Sequence, residues 1–325
     1  MANDKVEKQL AGLKALRGAG LTAESAAVLK KALGDRVNLV VAKAGQICGE
    51  LGAADLLPDL KKAFERLFEK GKDPQCWGKN ALGKALKDLG VQESAVFLRG
   101  IRHVQLEPVW GGSEDTAAVL RGTCALGLVQ CNDMPRDETL RYLVDSLTDN
   151  IATVRMDAAR ALEQMGGREV VLLLRLKARV RDVDPRVTGE VLEALLQMEG
   201  KGAIPLVAEF LEDADEEVVD EAALALGASR LPEAFGLLKR AWEKRQGWLP
   251  AGALLRAMSV SRLDEALEFL LDLVKNANQQ DAEEALHALE LQKGTEEMVK
   301  RIEQSVAERG DIKLQGIFRQ RFRLE

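Results

Sequence analysis

Apolar residues recur along this chain at helical spacing. In the segment DNIATVRMDAARALEQMG, Asp149 to Gly166, Val154, Ala158, Ala161, Leu162 and Met165 share one face, which is the stripe of an amphipathic helix. Small residues at its centre (Ala158, Ala161) let neighbouring helices come close, and larger ones fill the flanks. Other segments carry longer stripes, such as Leu60, Phe64, Leu67 and Phe68, or Ile204, Val207, Phe210 and Leu211. No alternating run of strand-like residues stands beside this pattern, so it predicts an all-helical chain.

The same phrase returns at intervals. Aligned on Ala161, the copies fall at Ile47, Ala85, Ala125, Ala194, Ala225, Ala257 and Ala288, with successive spacings of 38, 40, 36, 33, 31, 32 and 31 residues. Two copies share their exit, Arg230-Leu-Pro-Glu-Ala-Phe and Arg262-Leu-Asp-Glu-Ala-Leu. A period of 31 to 40 residues is that of a repeat array. Each copy reads as two helices. Pro58, Pro205 and Pro232 stand near first-helix starts, and Pro74 and Pro185 follow an Asp at second-helix starts, where a missing N–H costs little. Asp73, Asp149, Asp184 and Asp215 are placed to cap second helices. Gly52, Gly90 and Gly166 are placed to end them.

These units resemble HEAT repeats, in particular the short HEAT-like type of phycobilisome-lyase-related proteins. The resemblance spans roughly Thr22 to Arg309 and implies a right-handed α-α superhelix, an α-solenoid of about eight helical hairpins with second helices lining a concave face. It is weaker in the first three units, where Gly45, Gly49 and Gly83 replace side chains. The expected organisation is an N-terminal capping helix over 1–20 (Val6, Leu10, Leu13, Leu16), a single array over 21–310, and a basic capping helix or tail over 311–325 with Ile317, Phe318, Phe322 and Leu324 among Arg319, Arg321 and Arg323.

Composition narrows the function. The 325 residues carry 46 Lys+Arg against 52 Asp+Glu, a net charge of −6 that argues against a general nucleic-acid binder. Hydrophobic residues make up 46%, ample for a core. No apolar run approaches the roughly 18 residues of a membrane span, and the start MANDKVEKQL lacks a signal-peptide core, so the expected compartment is cytoplasmic. Four cysteines suggest no disulfide framework.

Enzyme motifs are missing. Gly111-Gly112 is followed by Ser113-Glu114 in place of the Lys-Ser/Thr of a phosphate loop. Cys124 and Cys131 stand seven apart without a nearby His, which favours buried thiols over zinc. The expectation is no catalytic residue, no metal and no cofactor.

Two features stand out. The irregular stretch Arg99 to Thr116 interrupts the period and contains Arg102, His103, Glu107 and Trp110. It reads either as a plug, with Trp110 folded back over a widened groove, or as a recognition loop. Trp242 with Trp248 reads as packing plus a turn at Gly247, and Trp77 at a second-helix start is open to either reading. The second feature is charge along the second helices. Four and one residues before the anchors stand Lys43, Lys84 and Arg121 early, then Asp157, Arg160, Glu190, Glu193, Glu221, Arg256, Glu284 and His287. This predicts a partner-binding groove, basic at one end and acidic at the other, suited to a segment with complementary ends. The acidic run Glu209 to Glu221 reads first as a solvated turn and second as a contact for a basic partner.

The leading functional expectation is a non-catalytic scaffold that holds another protein or peptide. A small-molecule or chromophore-handling lyase-like protein using the His103–Trp110 loop is the alternative. A DNA-binding protein of the HEAT-like glycosylase type is disfavoured by charge.

Overall fold

All eight aligned positions, from Ile47 to Ala288, fall in the second helix of a hairpin, and each is at most 3% exposed. The computed structural model describes residues 2–18, 20–244 and 251–322. It divides into two units, Met1–Met165 and Gly166–Glu325.

In the first unit, α1 (Ala2–Ala15) precedes four hairpins: α2 and α3 (Ala23–Leu33, Asn38–Glu50), α4 and α5 (Leu57–Arg66, Trp77–Asp88), α6 and α7 (Ser94–Leu98, Ala118–Leu128), and α8 and α9 (Arg136–Leu147, Ala152–Met165). Helices α3, α5, α7 and α9 pack in succession as one layer, and α1 packs on α3. Leu13 of α1 is buried. The second unit has α10 and α11 (Arg168–Val180, Pro185–Glu199), α12 and α13 (Ile204–Glu209, Glu216–Ala228), α14 and α15 (Pro232–Lys244, Ala251–Ser261), α16 and α17 (Asp264–Asn276, Gln279–Leu289), and α18 and α19 (Glu296–Arg309, Ile312–Arg321). Its second helices α11, α13, α15 and α17 again stack in order.

Each unit is an all-α, HEAT-like stack of helical hairpins, with one exception among the described residues. Leu106–Val109 (β1) and Gly112–Asp115 (β2) form an antiparallel hairpin, Leu106 opposite Asp115 and Val109 opposite Gly112. The pattern hid it because Pro108 interrupts one strand and the other is Gly-Ser-Glu-Asp, poor in strand-forming residues.

Local chemistry explains the helix boundaries. Asp184 and Asp215 accept the backbone N–H of Arg186 and Glu217, each at 3.0 Å. Asp149 accepts that of Ile151, and Asp73 those of Gly78 and Lys79. Gly52, Gly90 and Gly166 take left-handed backbone at the helix ends. The matching exits match in detail too. Arg230 and Arg262 both adopt φ near +53°, at 53° and 54°, and the serine before each donates at 2.6 Å to the carbonyl three residues back. Arginines close other ends: Arg66 donates to the carbonyls of Leu33, Gly34 and Asp35, and Arg309 to those of Val274, Lys275 and Ala277. Both satisfy last-turn carbonyls of a neighbouring first helix.

The glycines of the early units let helices meet. A Cβ on Gly45 would lie 2.6 Å from Leu82 Cδ2, and one on Gly83 would lie 2.9 Å from Leu120 Cδ1. At the other end α18 packs on α16 and α19 on α17, so these two helices continue both layers. Leu314 is fully buried, Phe318 stacks on Phe322 at 5.1 Å, and Arg321 bonds Glu290. Arg319 is exposed, while Arg323 and Leu324 lie outside the described residues.

Candidate functional site

The second-helix face of the first unit holds an open cavity of about 670 Å³ bounded by α1, α3, α5 and α7. Its apolar surface comes from Leu10, Leu39, Trp77 and Val119, the last three 38%, 46% and 58% exposed. Leu39 and Trp77 occupy the same place in successive units, eight residues before Ile47 and Ala85. Three lysines stand around this surface: Lys14, Lys43 and Lys84.

The carboxylates in the cavity are already engaged. Glu50 accepts from Arg17 at 2.7 and 2.8 Å and from Gln46 at 2.9 Å. Asp88 is bound by Lys84 at 2.6 Å and Lys87 at 2.7 Å. Burial raises the Asp88 carboxyl, but the two ammonium groups outweigh it and hold it below the ordinary carboxylate range. Lys43 donates to the neutral Gln46 at 2.9 Å. Its own pKa is lowered, by burial first and then by repulsion from Arg17 and Lys14. A local excess of positive charge therefore sits beside an exposed indole.

A second cavity, about 600 Å³ between α2 and α4, is crossed by Arg66 on its way to the α2 carbonyls and lined by the Lys30–Asp59 pair. Arg66, Lys30 and Asp59 are thereby spent on the fold.

Arg121 does not line the groove. It is 4% exposed, and its guanidinium donates to Asp115 (2.6 Å), to Asp149 (2.8 and 3.0 Å) and to the carbonyl of His103 (3.0 Å). The hairpin insertion supplies Asp115, and the turn that opens α9 in the following unit supplies Asp149. The later positions are also recast. A Cβ on Gly122 would lie 2.1 Å from Asp157 Oδ2, one on Gly189 2.3 Å from Glu221 Oε2, and one on Gly252 2.5 Å from Glu284 Oε2. These three carboxylates lie flat over a glycine of the preceding second helix and fill seams between helices. Burial raises the pKa of both Asp157 and Glu221. Arg160 is exposed and pairs with Asp157 at 3.2 Å. Glu193 and Arg256 are exposed on the second unit, Arg256 3.8 Å from Asp220, while Glu190 and His287 are half-buried, His287 3.0 Å from Glu290.

The Arg99–Thr116 stretch is not a plug. Trp110 is fully exposed at the hairpin tip, where Gly111 turns with φ 89°. The hairpin root, by contrast, is locked. Asp115 accepts from the N–H of Gln105 and Ala117 as well as from Arg121. Glu107 accepts from the N–H of Gln75 at 3.1 Å and from Gln105 Nε2 at 2.8 Å. Those two bonds hold its carboxyl below the ordinary range. Gln105 also reaches the Asp73 carbonyl and Lys79. His103 lies edge-on to Phe68 at 5.0 Å, its pKa lowered by burial and then by Lys79. Arg102 lies over the Tyr142 ring at 4.6 Å and pairs with Asp145. His103 and Glu107 thus share Gln105, which lies 3.4 Å from His103 Nε2 and donates to Glu107 at 2.8 Å, while Trp110 stands apart at the tip. Sequence reading missed Gln105, Lys79 and the left-handed Gln75 and Cys76, which have no signature of their own.

Cys124 is buried within α7, and Cys131 lies beyond its end with Sγ toward the Gly127 carbonyl, so the two do not share a helix face. Trp242 packs edge-on against Phe269 at 5.4 Å, as packing requires; Gly247 and Trp248 lie outside the described residues. Among the described residues, no helix is long and apolar enough to cross a membrane.

Residues 171–259 match the family model for HEAT repeats. Solved structures that match include human deoxyhypusine hydroxylase in complex with glycerol (20% identity, 77% of this chain and 86% of that one, TM-score 0.30). Another is the complex of CpcE and CpcF of phycocyanin lyase from Nostoc sp. PCC7120 (18% identity, 80% and 94%, TM-score 0.38). A third is an engineered protein (16% identity, 96% and 90%, TM-score 0.38). Comparison with curated protein sequences gives no match.

Proposed function

We propose that this protein is a non-catalytic, cytoplasmic interaction scaffold whose first unit holds a segment of another protein on its second-helix face. The single observation behind this reading is the cavity at Trp77, where an apolar floor meets Lys14 and Lys43 and the nearby carboxylates are already paired. A segment with an aliphatic or aromatic anchor flanked by Asp or Glu matches that chemistry. The anchor removes Leu39, Trp77 and Val119 from water at roughly 25 cal/mol per Å², and its carboxylates give direction and speed of encounter more than affinity. Nucleic acid suits the surface poorly, because three lysines spread around an indole do not make a continuous phosphate track.

Selection of a phage-displayed peptide library on the protein tests this. Enriched peptides should carry one large apolar residue among acidic ones. Their binding should weaken at least tenfold with Trp77→Ala or Lys43→Glu, a loss of about 1.4 kcal/mol, and be unchanged by Glu193→Lys. Enrichment of basic peptides, or binding indifferent to Trp77→Ala, overturns the proposal.

A further inference from the structure

The tip of the β-hairpin is apolar and acidic at once. Trp110, Leu106 and Val109 are 104%, 64% and 43% exposed. In the strand register Glu107 stands opposite Glu114 and Val109 opposite Gly112. Side chains alternate along a strand, so Val109 and both carboxylates share one face. Like charges directly opposite each other destabilise a strand pair. Glu107 meets only neutral donors, Gln75 and Gln105, and Glu114 is exposed with no partner among the described residues. Lys79, whose charge reaches Glu107, is buried and bonded to Gln105. From Val104 to Leu120 the sequence holds no Lys or Arg. An indole and two uncompensated carboxylates therefore stand together in water.

We propose that the cavity at Trp77 seats the Trp110 hairpin of a second copy of this chain, two copies exchanging hairpins about a two-fold axis. This rests on the reading of that cavity as the seat of an apolar and acidic segment, and it names the segment. The match is one of charge. The cavity sets Lys14 and Lys43, neither paired with a carboxylate among the described residues, beside Leu39 and Trp77. The hairpin sets Glu107 and Glu114 behind Trp110 and Val109. The match is also one of length. Glu107 lies three residues from Trp110, about 10 Å along a strand. Lys43 and Lys84 lie four and seven residues beyond Leu39 and Trp77, about 6 and 10 Å along their helices. An indole on the apolar floor thus brings both carboxylates within reach of lysine side chains.

The chain's own cavity is not the seat. Bonds to Asp115 from Gln105, Ala117 and Arg121, and to Glu107 from Gln75, fix the hairpin root with Trp110 in water. That root adjoins the floor, since Gln75 is two residues from Trp77. A hairpin beside the cavity that receives its like suits a closed exchange, in which each copy gives one and takes one. Two tips on two floors bury about 1,200 Å² or less in total, the size of weak specific interfaces, with a dissociation constant of about 10–100 µM. Below that concentration the chain is a monomer with Trp110 in water. Above it, a second copy competes with any other segment for the cavity.

Sedimentation velocity of the full chain, from about 5 to 500 µM around that constant, is the test. The wild type should move from monomer toward dimer across that range. Trp110→Ala and Trp77→Ala should each stay monomeric throughout, with circular-dichroism spectra unchanged. Lys43→Glu and Glu114→Lys should each weaken association at least tenfold, and the double exchange Lys43→Glu/Glu114→Lys should recover most of it. A dimer that survives Trp110→Ala overturns the hairpin as occupant, and one that survives Trp77→Ala overturns the cavity as its seat. Growth beyond the dimer, or a double exchange that restores nothing, overturns the reciprocal arrangement. A monomeric wild type that still enriches apolar–acidic peptides overturns this inference and leaves the reading of the cavity standing; loss of both overturns both.

Discussion

Arg121 lies 2.6 Å from Asp115 and 2.8 Å from Asp149, so one buried guanidinium joins the end of the β-hairpin to the turn that opens α9. Its carboxylate partners are 10% and 16% exposed. Arg121→Ala leaves both without their counter-ion and should cost about 3 kcal/mol of stability in the first unit. Arg121→Lys should recover only part of this, because a point charge cannot serve two carboxylates and a carbonyl at once. Urea midpoints of the three proteins check the order.

Acid should act through Asp115 and Glu221 with opposite sign. Burial raises the Asp115 carboxyl, but bonds from Gln105, Arg121 and Ala117 outweigh it and leave its pKa lowered. Its stabilisation is therefore complete above the unfolded value of about 3.9 and fades as pH drops through the folded one. Glu221 is the reverse case, raised by burial first and then by Asp220. Its charged form penalises the fold above the folded pKa, and the penalty disappears as pH falls toward the unfolded value of about 4.3. Glu221→Gln should thus stabilise the second unit at pH 7 by up to about 1 kcal/mol. The gain should shrink by about pH 4.5, close to the unfolded Glu value. Denaturation midpoints at the two pH values decide it.

A methyl group at Gly227 would collide with backbone. Its Cβ would lie 2.2 Å from the Ala257 carbonyl oxygen, where no rotamer change gives relief. Gly227→Ala should destabilise by about 1–3 kcal/mol although alanine is the better helix former. Gly316 in α19 has nothing within 4 Å of its Cβ position. Gly316→Ala should stabilise by up to about 1 kcal/mol. Thermal melting of the pair separates packing from propensity.

Trp110 at the hairpin tip should be dispensable for folding. With its side chain wholly in water, Trp110→Ala should change stability by no more than about 0.5 kcal/mol. A larger loss in a chemical denaturation series means that the indole packs somewhere.

The repeat was legible because it is a matter of buried volume at fixed intervals, and the anchors from Ile47 to Ala288 all mark second helices. The Asp caps and helix-ending glycines were legible for the same reason, since each acts on its own backbone. The groove was legible only in part. Lys43 and Lys84 flank the cavity, but Arg121 occupies the equivalent register and is buried, because its two carboxylate partners come from an insertion and from the following unit. Leu39 and Trp77 share one repeat position and carried a signal that alignment on charge alone passed over. The stacking of Asp157, Glu221 and Glu284 on glycines depends on how closely neighbouring helices sit, which no single helix records.

The twin exits at Ser229-Arg230-Leu231 and Ser261-Arg262-Leu263 leave the chain in the same local conformation at two points 32 residues apart. A splice from Arg230 to Leu263 therefore removes one whole cassette and creates no novel joint. Duplication of the cassette likewise inserts a copy with both junctions already shaped. Length in this part of the molecule is a quantity that recombination is free to change.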